Sequence, residues 1–293
     1  MKEQLRNLIN SKVHHFVGNS RSASDIHSNE MERLTNKKES FHKRSAEIIK
    51  CHAECKIEQK RNIGEETHLN YFVHYQYLVK QNDKLYMEEE YQDRLAIFRN
   101  DEIVEDHERN PPNEEIETGP LNRENDDVER VQYNYDRLAA VKYAERWWDD
   151  YNPEFKKFDV DCTNYISQCL HAGGIPMSGY PNRGKGWWMK NNNWSYSWSV
   201  AHALRWHLSD SKSGVIAKEV NSPEELLLGD VICYDFQGDG RFDHTTIVVA
   251  KDDQGMPLVN AHTQNSRMRY WAYEDSTAYT PDIKYKFFSI VNG

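Results

Sequence analysis

Cys162 stands where a helix would make a nucleophile of a thiol. Cys162, Tyr165, Ile166, Cys169 and Leu170 recur at three- and four-residue spacing, so one apolar stripe runs along this segment. Asp161 is a good N-cap residue and Gly173-Gly174 closes the stripe, which predicts a helix with Cys162 in its first turn. Unpaired backbone N–H groups and the positive end of the helix dipole favour thiolate there, and the N–H of Cys162 itself suits an oxyanion. Asp159 and Asp161 oppose that ionisation, so a basic partner is required. Cys169, two turns along, and Cys233, inside Val231-Ile232-Cys233-Tyr234, read as small core residues.

The partner is sought near the end of the chain. Three apolar or alternating runs, Asp230 to Phe236, His244 to Ala250 and Pro257 to Thr263, are separated by turn-forming segments and read as an antiparallel meander. His244 begins the second strand and His262 ends the third. A second hairpin closing around Asp253 would set His262 directly opposite His244 on one face, and Asn260 opposite Thr246. Direct cross-strand neighbours lie about 5 Å apart at Cβ and diagonal ones roughly 7 Å. In that register His244 serves as general base and acid and His262 orients its ring, with Asn260 as the alternative orienter. A slip of one residue would send His262 to the face opposite His244.

The elements that must hold these groups fit a two-domain frame. The 293 residues, 29% charged and 38% hydrophobic, suit a hydrophilic soluble protein with two modest cores. A formal net charge of -10 argues against nucleic-acid binding or adhesion to anionic membranes, because phosphate contacts need clustered Lys and Arg. The start, Met1-Lys2-Glu3-Gln4-Leu5-Arg6, lacks the apolar core of a secretory signal, and no run approaches the roughly 20 residues of a membrane span. The expected location is therefore cytoplasmic, with export by another route left open. Five cysteines, one of them assigned as a free nucleophile, fit a reducing compartment better than a disulfide framework.

All eight Trp lie between Trp147 and Trp271, which marks a shift in composition, and residues 111–133, rich in charge, Asn, Pro and Gly, read as a linker. The expected domains are thus 1–110 and 134–293. The first begins with helix-like segments at Glu3 to Val17 and Asn29 to Ser45. Ile49, Cys51, Ala53, Cys55 and Ile57 then alternate with polar residues, as do Leu69 to Val79, and Leu85 to Phe98 and Glu102 to Glu105 continue as strands. This predicts an α+β domain with a curled antiparallel sheet, cystatin-like or related. On a strand, Cys51 and Cys55 are about 13 Å apart, too far to share a disulfide or a metal, and both read as core. Asp235, Asp239 and Asp243 lack the spacing of a calcium loop and read as hairpin-turn residues.

From Tyr135 through Ala144, the block Asp161-Cys162-Thr163-Asn164-Tyr165-Ile166-Ser167-Gln168-Cys169, Ala172-Gly173-Gly174, Gly229-Asp230-Val231, Asp243-His244-Thr245 and Ala261-His262-Thr263, the chain resembles the amidase domain family of Gram-positive bacteria. That family is a branch of the papain-like superfamily that includes NlpC-type and CHAP hydrolases. The resemblance covers about residues 135–293. It implies a papain-like fold, with a nucleophile helix packed on an antiparallel sheet, and Cys162, His244 and His262 as nucleophile, base and third polar residue. It also implies bacterial cell-wall peptides as the substrate class.

The chemistry expected is hydrolysis of an amide through a thioester on Cys162, with His244 carrying the proton and no metal or organic cofactor required. The alternatives are acyl transfer to an amine from the same site, and a module that only binds a peptide or glycopeptide. Residues 178–199 combine loop formers with Trp187, Trp188, Trp194 and Trp198, which read equally as a cleft wall or as core filling. His202 and His207 read as structural. Oligomeric state and the role of the first domain are not legible.

Overall fold

The computed structural model describes residues 1–18, 28–109 and 131–293. The protein is α+β and divides into two compact units, Met1–Asn110 with Ala272–Thr277, and Pro111–Trp271 with Ala278–Gly293. The expected linker lies outside the described residues as far as position 130. Residues 272–277, inside the C-terminal domain as read from sequence, belong to the first unit.

The first unit sets two helices, α1 (Lys2–Val17) and α2 (Ser28–Lys43), with the antiparallel strands β1 (Ala46–Ile63), β2 (Glu66–Gln81), β3 (Lys84–Arg99) and β4 (Glu102–Glu108). Leu5, Leu8, Ile9 and Phe16 form the buried stripe of α1, and every second residue of β2 from Leu69 to Val79 is buried beneath the helices. Alternation in β1 is broken by a bulge between Ile48 and Lys50, which leaves Ile49 exposed while Ile48 and Cys51 turn inward. Cys55, expected in the core, is exposed because the inner face of β1 thins out beyond Cys51. Charged groups share this interior in pairs. Lys12 meets Asp106 at 2.9 Å and Glu30 at 3.0 Å, and Arg94 also meets Asp106, at 2.7 Å. Lys37 meets Glu88 at 2.6 Å and Asp275 at 2.9 Å. Pairing is what makes such burial tolerable, since one partner alone would be an uncompensated charge.

In the second unit, α3 (Arg137–Trp147) packs against α4 (Cys162–Ala172). A two-stranded ribbon, β5 (Met189–Lys190) and β6 (Asn193–Trp194), precedes the short α5 (Tyr196–Ser199) and α6 (Ala201–Asp210). The antiparallel sheet beneath α4 is made of β7 (Ala217–Val220), β8 (Val231–Asp235), β9 (His244–Lys251), β10 (Pro257–Ala261), β11 (Ser266–Tyr270) and β12 (Lys284–Ile290), in the order β11-β10-β9-β8-β12-β7. Tyr165, Ile166, Cys169 and Leu170 of α4 join Val231, Cys233, Ile247, Val249 and Phe288 of the sheet in one core. Cys169 and Cys233 lie within it, as expected. Gly174 ends α4 at φ +89, a left-handed conformation that glycine adopts without a Cβ penalty.

Candidate active site

Cys162 opens α4 with its side chain buried, at the wall of a cavity of about 240 Å³. The Thr163 hydroxyl lies 3.7 Å from the sulfur, and the Thr245 backbone and the Thr263 hydroxyl act with it to favour the thiolate. Thr263 does more than this. Its Oγ1 accepts the backbone N–H groups of Asp161 and Cys162, each at 3.1 Å, so one hydroxyl closes the start of the helix. The backbone at Thr263 has φ +80, a costly conformation for a β-branched residue, of the kind that persists where the surroundings demand it. Thr163 Oγ1 lies 3.2 Å from Thr245 Oγ1, which ties α4 to β9 beside the sulfur.

Two expectations are corrected at this helix start. Asp161 occupies the N-cap position, yet its carboxylate makes no cap bond. It accepts instead from Asn164 Nδ2 at 2.9 Å and Phe158 N at 3.0 Å through Oδ1, and from His262 through Oδ2. The Cys162 N–H, expected to await an oxyanion, is held by Thr263 at 3.1 Å. Replacing Thr263 by Val should therefore cost about 1–2 kcal/mol and Ser should restore it, as the urea midpoints of the two variants would show.

The register between β9 and β10 differs from the one read in the sequence. Leu258 pairs with Ala250 but Val259 pairs with Val248, so Val249 is bulged, and Asn260 faces Ile247 rather than Thr246. That single extra residue reverses the face. Cys233 pairs with Thr245 on the side of α4, whereas Tyr234 pairs with His244 on the other. The His244 ring lies 5.6 Å from Tyr234 and 6.1 Å from Phe236, centroid to centroid. His262 sits on the α4 side and does not orient His244. It donates from Nδ1 to Asp161 Oδ2 at 2.9 Å and from Nε2 to the Trp147 carbonyl at 2.6 Å, and stacks on Tyr165 at 3.9 Å. Asn260, the alternative orienter, gives Nδ2 to Glu145 at 2.8 Å and accepts the Met268 N–H at 2.9 Å.

Both groups assigned to the chemistry rest uncharged. Burial raises the Cys162 thiol above its ordinary value despite the three threonines that favour the thiolate, and Asp161 adds to the rise. Burial, with Arg269 second, lowers His244 to about 3. The rate of Cys162 alkylation should accordingly climb through neutral pH and inflect above the range of a free thiol. A plateau between pH 6 and 8, the mark of a thiolate–imidazolium pair, would contradict this; mass spectrometry of the iodoacetamide-treated protein reads it directly.

Of the four tryptophans considered for a cleft wall, only Trp194 lines the cavity with Cys162. Trp187, Trp188 and Trp198 are fully buried. Their indole N–H groups are used inside, by Ser167 at 2.9 Å, by the Asn182 and Lys185 carbonyls, and by Asn164 at 2.8 Å. Asp235 accepts the N–H groups of Gly238, Asp239 and Gly240, which is a turn and not a cation loop. Among the described residues no cluster of His, Cys, Asp and Glu could hold a metal ion, and no helix is long and apolar enough to cross a membrane. Sequence reasoning missed Thr163, Thr245 and Thr263 as the hydroxyl residues around the nucleophile; Thr163 is its neighbour in the chain, whereas Thr245 and Thr263 come near only with the packing of α4 on the sheet.

A cysteine at a helix entrance, packed against an antiparallel meander and facing a cavity, defines the class, and residues 134–288 match the family described as "Putative amidase domain", to which the chain belongs. That family points to hydrolysis of amides. The chain is similar along its whole length to "Uncharacterized protein YhbB" of Bacillus subtilis (strain 168), at 47% identity over 300 residues, covering 100% of this chain and 96% of the relative. "Uncharacterized protein YjcM" of the same organism is 32% identical over 140 residues, 45% of this chain and 31% of that protein. No solved structure matches the chain.

Proposed function

We propose that the protein is a cysteine-dependent amidase of papain-like design, in which Cys162 attacks an amide carbonyl and His244 carries the proton. One observation supports this reading most strongly. Thr163 Oγ1 lies 3.7 Å from the Cys162 sulfur and 3.2 Å from Thr245 Oγ1, so the start of β9, where His244 stands, is tied to the nucleophile even though the His244 ring turns toward Tyr234 and Phe236. The resting pair is thiol and neutral imidazole. For the imidazole to take the thiol proton at the moment of attack, the start of β9 must turn so that His244 leaves the Tyr234 face for the α4 face. The C–N bond then breaks, the leaving amine receives that proton, and a thioester remains for water to cleave.

His262 acts here as a positioning residue. Both of its partners are acceptors, so the two bonds form together only when each ring nitrogen carries a proton. It joins the carbonyl end of α3 to the residue before Cys162, where a cationic ring suits the negative end of a helix. The Thr263 hydroxyl, fixed at the start of α4, is placed to donate to the oxyanion that develops as the sulfur attacks. Peptides of bacterial cell wall are the substrate class this reading favours. The first unit, expected as a separate domain at 1–110, has no assigned part in it.

Replacing His244 by Ala should lower kcat/KM for an amide substrate about 10²–10⁴-fold while leaving the circular dichroism spectrum unchanged. Full activity in that variant would remove His244 from the mechanism. Product masses recorded with and without added amines separate hydrolysis from acyl transfer.

A further inference from the structure

The cavity beside Cys162 contains a carboxyl group that the steps above leave unused. Asp243 lines it, immediately before β9, and its Oδ2 is enclosed without a hydrogen-bond partner. The Phe236 backbone favours the carboxylate form, and Oδ2 is the oxygen left without a donor. Around it the cavity is mostly apolar and aromatic, with Phe158, Val160, Trp194, Tyr196, Val200 and Phe242.

The charged neighbours define what the open position can take. Asp235 and Asp239, in the turn between β8 and β9, add negative potential, and Arg241 opposes them weakly. His202 packs on the same turn, where its Nδ1 accepts the Phe242 N–H at 3.2 Å. Asp159, Arg183 and Arg241 also line the cavity. Arg183 is committed to the wall: it lies 5.1 Å from Trp194 and 5.0 Å from Tyr196, and its Nε donates to the Trp194 carbonyl at 3.1 Å. Burial first, then Asp235 and Asp239, raise Asp243 to about 6, so it is an anion at neutral pH and one that a bound cation would relieve.

We propose that Asp243 receives a primary alkylammonium group of the substrate, carried on an apolar stem that lies along Trp194 and Tyr196. A single open carboxylate oxygen suits a compact ammonium better than a guanidinium fork, which seeks two. The inference names the substrate class of the amidase proposed above and rests on that reading for the word substrate; the binding itself does not depend on turnover.

The test is a calorimetric titration of the full chain with hexylamine, protonated at pH 7.5, against 1-hexanol. The amine should bind at least tenfold more tightly than the alcohol. Lowering the pH from 7.5 to 5 should weaken the amine about tenfold and leave the alcohol unchanged, and D243N should bring the two ligands within a factor of two. Equal binding of amine and alcohol by the wild-type protein, or a preference that survives both pH 5 and D243N, would overturn the inference. The pH series uses the wild-type chain, so it decides the matter even where the variant folds poorly. Amine binding without any amide cleavage would sink the amidase reading alone, whereas cleavage of neutral amides with no preference for an amine-bearing one would sink the inference alone.

Discussion

Cys162→Ala is expected to abolish amide hydrolysis, by on the order of 10⁴-fold or more, because the only group that can form the thioester is removed. Stability should change by about 1 kcal/mol or less, since a small buried side chain is replaced by one slightly smaller. The threonines around it, Thr163, Thr245 and Thr263, lose a sulfur that was a weak acceptor. Cys162→Ser gives the complementary result: a polar group of similar size remains, the fold is held, and turnover still fails because a serine hydroxyl is a far weaker acid and a poorer nucleophile than the thiol. Kinetics with a panel of peptide amides, alongside urea unfolding, separates these effects. Hydrolysis that persists in Cys162→Ala would remove the nucleophile from the account.

His262→Ala should be the most destabilising single change at the site, by about 3–5 kcal/mol. The cost is that of leaving the buried Asp161 carboxyl without its hydrogen-bond partner, 2.9 Å away, and the Trp147 carbonyl without a donor. The ring stacked on Tyr165 at 3.9 Å is lost as well. Were His262 instead the group that orients a catalytic imidazole, the same variant would keep its unfolding midpoint and lose only kcat. Chemical denaturation measured beside kinetics distinguishes a residue that builds the helix entrance from one that steers His244.

These two expectations show where sequence reasoning succeeded and where it stopped. The α4 stripe, its glycine stop and the position of Cys162 follow from local periodicity and end signals, and the structure has them. The alternating strand β2 was equally plain. The β9–β10 register was not, because Ile247-Val248-Val249-Ala250 is apolar on both faces and a continuous apolar run carries no information about which residue faces inward. The bulge at Val249 could hide there, and it moved His262 from beside His244 to beside Asp161. Thr263 was hidden for the opposite reason: a β-branched residue is the least expected at positive φ, so local preference argues against the conformation that lets it cap α4. The burial of Lys12 has no local signal, since its partners Glu30 and Asp106 are remote in the chain. The buried tryptophans were ambiguous because a loop-rich segment gives no sign that each indole N–H will find an internal acceptor.

The most direct measurement is capture of the acyl-enzyme. The protein is mixed with an amide substrate, quenched in acid within the first turnover, digested and analysed by mass spectrometry for the substrate's acyl group. The account predicts that mass on the peptide carrying Cys162 and its loss on treatment with hydroxylamine, as for a thioester. Turnover with no covalent adduct, or an adduct on any other residue, would contradict it.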